Sequence, residues 1–229
     1  MTVKPTHHIN VYSLGLLDYQ QAFKLQDVLL QKRINGDIPD TLLLLEHPPT
    51  LTMGKSDDVR NLRVPESHLK AQGIATYSTD RGGSITWHGP GQLVGYPIID
   101  LADRNKDLHR YIRDLEETII QMLAGFGIRS GRDKINIGVW VGREKIAAIG
   151  VRIRKWVTKH GFAVNVNSDL THFSLINPCG ITGRGVTSMA RVLGRDVPMA
   201  DVRTAVIDAM GAVFGVPTRL GSEDISAFS

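Results

Sequence analysis

The sequence predicts one domain over residues 1–229, with an α+β fold or an α/β fold built on a mixed sheet. Helix-like and strand-like segments follow one another without the regular strand–helix–strand repeat of a doubly wound sheet. No internal repeat and no linker divides the chain. The hydrophobic fraction of 42% is large enough to form a core, so we expect a globular protein.

Three segments are predicted to be helices because their apolar residues recur with a period close to 3.6. They cover residues 19–33, 107–125 and 201–214. Gly36 follows the first segment and Gly127 follows the second, and glycine is the residue that most readily ends a helix.

Runs of branched and aromatic residues predict the strands of the sheet. Residues 93–101 are apolar enough for a central strand, although Pro97 must then lie at its end or on a sheet edge. Residues 135–141 and 146–153 are joined by a short loop with a glycine, which predicts a β-hairpin. Lys145 is expected at the tip of this hairpin or just inside its second strand. The other predicted strands are residues 41–45, 74–78 and 162–166.

Composition excludes several classes of protein. The longest aliphatic run, residues 42–45, is far shorter than the roughly 20 apolar residues of a transmembrane helix. The N-terminal segment has the composition of neither a signal peptide nor a transit peptide, so we expect a cytosolic protein without membrane contact. The single cysteine, Cys179, allows no internal disulfide, and its spacing from His160 and His172 matches no known set of metal ligands. No metal site is therefore expected.

The charged residues are unevenly distributed along the chain. The net charge of +4 is small and does not by itself indicate a nucleic-acid-binding protein. Six cationic residues nevertheless lie close together in the sequence: Arg143, Lys145, Arg152, Arg154, Lys155 and Lys159. We expect this basic run to give one part of the surface a positive potential that favours an acidic partner.

Residues 80–97 have the most unusual composition in the chain, with five glycines and two prolines around Arg81 and His88. Glycine lets the backbone approach a ligand closely, so the stretch is a candidate pocket wall. The alternative is a pair of tight turns between strands, and composition alone does not decide between the two. Arg81 and His88 favour the pocket, because a turn needs neither and both can hold a carbonyl or phosphate group.

Cys179 lies in the sequence Asn-Pro-Cys-Gly, which excludes a regular helix or strand at the thiol. A lone cysteine is usually a small buried apolar side chain. A partly exposed thiol beside a cation instead has a lowered pKa and acts as a nucleophile. Lys145 is the candidate cation, although most hairpin lysines are solvated, and the spacing alone does not bring the two residues together.

Several segments form an ordered pattern along the chain. They are residues 81–101 (RGGSITWHGPGQLVGYPIIDL), 145–153 (KIAAIGVRI), 160–170 (HGFAVNVNSDL), 177–181 (NPCGI) and 185–189 (GVTSM). This pattern resembles the octanoyltransferases of lipoate biosynthesis, also called lipoate-protein ligase B, within the biotin and lipoate protein ligase fold family. The resemblance implies a single α/β domain with a mixed, mostly antiparallel central sheet flanked by helices.

The resemblance also implies a reaction. An octanoyl group would pass from octanoyl-acyl carrier protein to a lysine of a lipoyl domain, in a 2-oxoacid dehydrogenase or in the glycine cleavage H protein. Cys179 would carry the octanoyl group as a thioester, and Lys145 would lower the pKa of the thiol and transfer protons. No cofactor is implied, because exchange between thioesters is nearly isoenergetic and needs no ATP. The implied contacts to the acyl group are Arg81, Gly82, Gly83, Ser84, Ile85, Thr86, Trp87, His88, Ala148, Ile149, Gly150, Gly161, Phe162 and Ala163.

Three other functions remain open from the sequence. An ATP-dependent lipoate or biotin ligase would share the fold but needs no cysteine nucleophile, so Cys179 argues against it. A nucleic-acid-binding module would use the basic run, which contains only one aromatic residue, Trp156, on which a base could stack. We therefore expect no nucleic-acid partner. A thiol hydrolase would differ only in accepting water as the acyl acceptor.

Overall fold

The computed structural model describes residues 8–56, 61–102, 104–177 and 184–221, together with Ile225. The α-helices are α1 (Tyr19–Asn35), α2 (Glu66–Ala71), α3 (Leu108–Gly125), α4 (Met189–Leu193) and α5 (Met199–Phe214), and a 3₁₀ helix covers Leu170–Leu175. The strands are β1 (Ile9–Leu16), β2 (Asp40–Glu46), β3 (Thr50–Met53), β4 (Ala75–Ser78), β5 (Thr86–His88), β6 (Gln92–Ile98), β7 (Gly131–Arg132), β8 (Val139–Val141), β9 (Glu144–Arg154), β10 (Val157–Asn165), β11 (Gly185–Val186) and β12 (Thr218–Leu220). The three long helices, α1, α3 and α5, agree with the three predicted ones.

The strands of the described residues form two sheets. The larger one has the order β12-β1-β2-β6-β10-β9-β8-β7, with β11 paired to β9, and the smaller one has the order β4-β3-β5. From β2 to β7 in that order, neighbouring strands are antiparallel. β1 is parallel to β12 and to β2, and β11 is parallel to β9. The larger sheet is therefore mixed and mostly antiparallel, which confirms the predicted fold class.

Helices cover both faces of the larger sheet, and the side chains of β2 are buried on both of them. Leu42 and Leu44 belong to the core formed with α3 and α5, whereas Leu43 and Leu45 belong to the core formed with α1. Successive side chains of a strand point to opposite faces, so a strand covered on both faces is apolar throughout. This double burial accounts for the uninterrupted leucine run.

The long helices begin and end at residues suited to those positions. The Asp18 carboxylate accepts a hydrogen bond from the backbone N–H of Gln20 at 2.8 Å, and Gly36 ends α1 with a φ of 83°. The Asp107 carboxylate similarly accepts a hydrogen bond from the backbone N–H of Arg110 at the start of α3. Among the described residues, no helix combines the length and apolar composition that crossing a membrane would require.

Two predicted strands are shorter in the structure. Only Val139–Val141 of the predicted strand 135–141 is a strand, because Ile135 and Ile137 are 86% and 50% exposed and Gly138 has a φ of 128°. These two isoleucines belong to a loop, although their side chains resemble those of a strand. β6 ends at Ile98, and Pro97 lies next to its end, as its missing N–H requires.

One predicted strand begins several residues earlier in the structure. β10 begins at Val157, five residues before the predicted start at residue 162. The added residues include Thr158, Lys159 and His160, which are at most 2% exposed. Their polar side chains are buried by pairing with other polar groups, so the hydrophobic pattern of the sequence does not reveal this part of the strand.

Candidate active site

A cavity of about 640 Å³ opens between β9, β10, residues 81–88 and the 3₁₀ helix. Of the sequence-predicted site residues, those that line it are Arg81, Gly82, Gly83, Ser84, Ile85, Thr86, His88, Lys145, Ala148, Ile149, Gly150, Gly161, Phe162 and Ala163. Trp87 does not line it, because its buried side chain stacks on His172 with ring centroids 4.3 Å apart. Cys179 lies outside the described residues.

Small residues form one wall of the cavity. Ala148 pairs with Ala163, and Gly150 pairs with Gly161, on the adjacent strands β9 and β10. Alternation along each strand places all four on the same face of the sheet. At Gly150 and Gly161 the missing side chains allow close packing against Gly82 and Gly95. Ala148 and Ala163 keep the rest of this wall free of long side chains, which suits an apolar group in the cavity. The same four positions were predicted to contact the acyl group, and this role remains a prediction.

Replacing Gly161 with alanine is expected to lower the free energy of unfolding by about 1–3 kcal/mol, because overpacking forces the backbone to move. A Cβ atom at Gly161 would overlap the Gly95 carbonyl oxygen and lie 2.5 Å from Pro97 Cδ. Gly125→Ala is the matched control, since a Cβ there meets nothing within 4 Å. Urea denaturation measures both variants, and equal stability of the two would contradict this account of the close strand pairing.

Residues 81–83 close one end of the cavity through fixed contacts. Arg81 Nη2 donates to the Thr52 carbonyl at 2.7 Å and to Thr52 Oγ1 at 2.9 Å. The Gly82 N–H donates to the Val151 carbonyl at 3.0 Å, which attaches the loop to β9. Gly83 has a φ of 86°, which favours glycine. The stretch is thus both a turn and a cavity wall, so the two alternatives considered from composition are compatible.

A buried aromatic and imidazole cluster lies behind His88. His88 Nδ1 lies 2.8 Å from Gln92 Oε1 and its ring stacks on Tyr19. His47 Nδ1 donates to the Leu17 carbonyl at 2.7 Å, so its Nε2 accepts the hydrogen bond from the Tyr96 hydroxyl, also at 2.7 Å. Burial lowers the pKa of His47 to about 4 and that of His88 well below its ordinary value. Both imidazoles are therefore neutral near pH 7.

We expect the free energy of unfolding to fall as the pH decreases from about 6.5 to about 4. In this range the unfolded chain protonates His47 and the folded chain does not, because the pKa falls from 6.5 to about 4 on burial. Such a shift corresponds to about 3 kcal/mol at most. The pKa values of His88 and His160 are lowered as well, chiefly by burial, and act in the same direction.

Urea denaturation near pH 7 and near pH 5 measures this dependence. A His47→Gln variant keeps a donor for the Leu17 carbonyl but cannot titrate, so its stability should change less between the two pH values. Equal stability of the unmodified protein at both pH values would show that burial does not keep these imidazoles neutral.

Lys145 lies just inside β9, as predicted from the hairpin pattern of the sequence. Its side chain is half-buried on the cavity wall. Its Nζ donates to the Ile137 carbonyl at 3.1 Å and lies 4.9 Å from the centroid of the Trp140 ring. Asn177 and Arg184, the described residues on either side of residues 178–183, also line the cavity. Lys145 and both flanks of the segment that contains Cys179 thus surround one space.

The basic run does not form one exposed surface, so that prediction is wrong for part of it. The Lys159 side chain is 3% exposed, with its Nζ 2.5 Å from Asp27 Oδ1 and 3.4 Å from Asp80 Oδ1. Lys145 lines the cavity. Arg152 Nε lies 3.9 Å from Asp80 Oδ2 and remains partly exposed. Pairing with acidic residues from distant parts of the sequence removes Lys159 from the surface.

Sequence reasoning missed several residues that line the cavity. Tyr19 reaches it through long-range packing for which the sequence holds no local motif, whereas Gln92 and Tyr96 lie within the segment 81–101 but were not singled out. His160 was considered only as a metal ligand. Its Nε2 instead lies 2.8 Å from Asp80 Oδ1, and its φ of 57° is unusual for a residue other than glycine. The only available signal was its position next to Gly161 in the HGFAVNVNSDL segment.

Comparison with known proteins places the chain among lipoate enzymes. The family described as Lipoyl protein ligase A/B catalytic domain matches residues 18–211. An octanoyltransferase from Rubrobacter xylanophilus is 51% identical over 205 residues, covering 89% of this chain and 92% of that protein. An octanoyltransferase from Desulforamulus reducens is 48% identical over 205 residues, covering 89% of this chain and 90% of that protein.

Solved structures support the same fold at much lower identity. A bi-partite lipoate protein ligase from Thermoplasma acidophilum has a TM-score of 0.73 and 17% identity, covering 97% of this chain and 90% of that chain. A biotin protein ligase from Aquifex aeolicus has a TM-score of 0.54 and 12% identity, covering 90% of this chain and 69% of that chain. These two likenesses concern the fold alone. From the family match and the identities above 45%, the chain belongs to the lipoyl protein ligase A/B catalytic domain family.

Proposed function

We propose that this chain is an octanoyltransferase that moves an octanoyl group from acyl carrier protein to a lysine of a lipoyl domain, through a thioester on Cys179. The observation that supports it most is that Lys145, the wall of small residues and both described flanks of residues 178–183 line one cavity. The relatives named octanoyltransferase, at 48% and 51% identity, support the same reaction.

The first step forms the acyl-enzyme. The Cys179 thiolate attacks the carbonyl carbon of the octanoyl thioester, a new carbon–sulfur bond forms, and the bond to the carrier's sulfur breaks. The proton released by the Cys179 thiol passes through the Lys145 amine to the departing carrier thiolate. One thioester replaces another, so the step needs no ATP.

The second step transfers the acyl group to nitrogen. The neutral amine of the acceptor lysine attacks the Cys179 thioester, a carbon–nitrogen bond forms, and the bond to the Cys179 sulfur breaks. Lys145 takes the proton that the amine loses and returns it to the cysteine sulfur. Since an amide is more stable than a thioester, this step gives the reaction its direction.

The charges around the cavity suit this chemistry. Arg63, Arg81, Lys145 and Arg184 line it, and no aspartate or glutamate does so among the described residues. A positive environment stabilises a thiolate and the oxyanion that develops when a thioester is attacked. We propose that the substrate contacts carried over from the resemblance, apart from Trp87, act from this wall.

An ATP-free assay tests the proposal against the ligase alternative. We expect octanoyl transfer from octanoyl-acyl carrier protein to a purified lipoyl domain in a buffer without nucleotide. We expect no exchange of pyrophosphate into ATP when octanoate or lipoate is added. Exchange of pyrophosphate together with a need for ATP would instead support a ligase that activates a free acid.

Reversing the exposed part of the basic run should weaken the interaction with the acidic carrier protein. We expect Arg152→Glu, Arg154→Glu and Lys155→Glu together to raise KM for octanoyl-acyl carrier protein severalfold and to leave kcat unchanged, because long-range attraction acts on encounter. Lys159 is left out because it is buried. Added salt should have the same effect on the unmodified enzyme.

The control for this experiment reverses three exposed cations elsewhere: Lys70→Glu, Arg195→Glu and Arg219→Glu. It changes the net charge by the same amount, so it separates a docking surface from a general effect of charge. An unchanged KM in the first variant, or an equal rise in both, would show that the carrier protein does not dock at residues 152–155.

A further inference from the structure

We propose that Asp133 and Arg184 are positioning residues for Lys145, because their ion pair fixes the loop at residues 133–138 whose Ile137 carbonyl accepts the hydrogen bond from the Lys145 ammonium. The inference rests on the proposed function of Lys145 as the proton-transfer group. None of the motifs in the sequence includes Asp133, and Arg184 was not among the predicted site residues.

Asp133 organises the start of the loop. Its Oδ1 accepts hydrogen bonds from the backbone N–H groups of Ile135 at 3.0 Å and Asn136 at 2.9 Å. Its Oδ2 accepts a hydrogen bond from Arg184 Nη1 at 2.5 Å. The Arg184 hydrogen bond, followed by those of the loop N–H groups, holds the pKa of this carboxyl well below its usual value. Asp133 is therefore ionised, and its carboxylate binds both the loop N–H groups and the Arg184 guanidinium.

The end of the loop is fixed by different contacts. The Gly138 N–H donates to Glu116 Oε1 at 3.0 Å, and a Cβ at Gly138 would lie 2.5 Å from the Ala147 carbonyl oxygen. The loop therefore runs directly against β9. Trp140 Nε1 donates to the Asn136 carbonyl at 3.3 Å. Ile137 lies between these anchors, so the direction of its carbonyl group is determined from both sides.

Lys145 and Arg184 share one aromatic ring. Lys145 Nζ lies 4.9 Å from the Trp140 centroid, and Arg184 Cζ lies 5.0 Å from it. The two cations are thus no more than about 10 Å apart, about one Debye length at 0.1 M salt. In the backbone, Val186 pairs with Lys145 in the parallel ladder of β11 and β9. The Asp133–Arg184 pair therefore joins the loop to the strand beside Lys145.

This arrangement matters because a lysine side chain is flexible. Its four-carbon stem can adopt many rotamers, and proton transfer requires the amine to lie within hydrogen-bond reach of the reacting atoms. A carbonyl held in place by an ion pair restricts the ammonium to one region of the cavity. Loss of the pair should then slow proton transfer without changing how tightly either substrate binds.

The test compares three variants of the full-length enzyme. Asp133→Asn keeps an oxygen that accepts from the loop N–H groups but loses the charge that binds Arg184. Arg184→Gln removes the cation, and Arg184→Lys retains it. We expect kcat to fall about tenfold or more in Asp133→Asn and Arg184→Gln, with KM for both substrates within about twofold of the unmodified value. Arg184→Lys should recover part of the loss, and the control Arg195→Gln should behave as the unmodified enzyme.

A second measurement does not depend on the transfer reaction. We expect acetic anhydride to acetylate Lys145 severalfold faster in Asp133→Asn than in the unmodified protein, relative to the exposed Lys70, as measured by peptide mass spectrometry. This readout stays valid even if the chain does not transfer octanoyl groups. Unmodified kcat in both charge-loss variants, a change in KM alone, or an unchanged acetylation ratio would each overturn the inference.

Discussion

We expect octanoyl transfer to fall by about three orders of magnitude or more when Cys179 is replaced by serine. The serine hydroxyl stays protonated near neutral pH, so it is a far weaker nucleophile than a thiolate beside a cation. The initial rate of transfer from octanoyl-acyl carrier protein to a lipoyl domain measures the loss. We expect the circular dichroism spectrum and the melting temperature to remain close to those of the unmodified protein, because the substitution changes one atom.

The unmodified protein provides the control for this prediction, since Cys179 is its only cysteine. Alkylation with iodoacetamide should inactivate the enzyme, and prior incubation with octanoyl-acyl carrier protein should protect it. Turnover retained in Cys179→Ser, or in the fully alkylated protein, would rule out the covalent mechanism.

Lys145→Arg should slow the transfer of the octanoyl group to the acceptor amine by about a hundredfold. Arginine keeps the positive charge but cannot release a proton near neutral pH. Cys179 therefore retains a cation nearby, and formation of the acyl-enzyme should be affected less than its consumption. Rapid-quench measurements of the two steps, followed by mass spectrometry of the enzyme, separate these rates.

Two further substitutions control this second prediction. Lys145→Met removes the charge as well as the proton, so both steps should slow. Lys70→Arg, an exposed lysine outside the cavity, should change neither. If Lys145→Arg carries out both steps at the unmodified rate, Lys145 acts only as a neighbouring charge, and the proton takes another route.

The sequence predicted most of the fold because its strongest patterns are local. The apolar periodicity located α1, α3 and α5, and turn-forming residues located the β8–β9 hairpin. The errors occur where tertiary contacts override local preference. Ile135 and Ile137 have strand-like side chains in an exposed loop, whereas Lys159 and His160 are polar residues in a buried strand. The single domain over residues 1–229 remains a prediction.

The site could be predicted only where its residues lie in a recognisable motif. The glycine-rich stretch and the KIAAIGVRI segment contain a large part of the cavity wall, and the sequence identified both. Tyr19 and Arg184 reach the cavity from distant segments, and no spacing rule connects them to Lys145. Trp87 is the opposite case, because it lies within the motif but its side chain packs against His172. A motif indicates which segment forms the cavity wall, but it does not indicate which of its side chains point into the cavity.

The most direct test of the proposed mechanism is mass spectrometry of the enzyme after mixing with octanoyl-acyl carrier protein in the absence of acceptor. We expect one octanoyl group on the peptide that contains Cys179, labile to hydroxylamine as a thioester is. Addition of a lipoyl domain should then remove this group from the enzyme and place it on a lysine of the domain at the rate of turnover. An octanoylated lipoyl domain formed without any acyl group on Cys179, or an adduct that the domain does not consume, would contradict this mechanism.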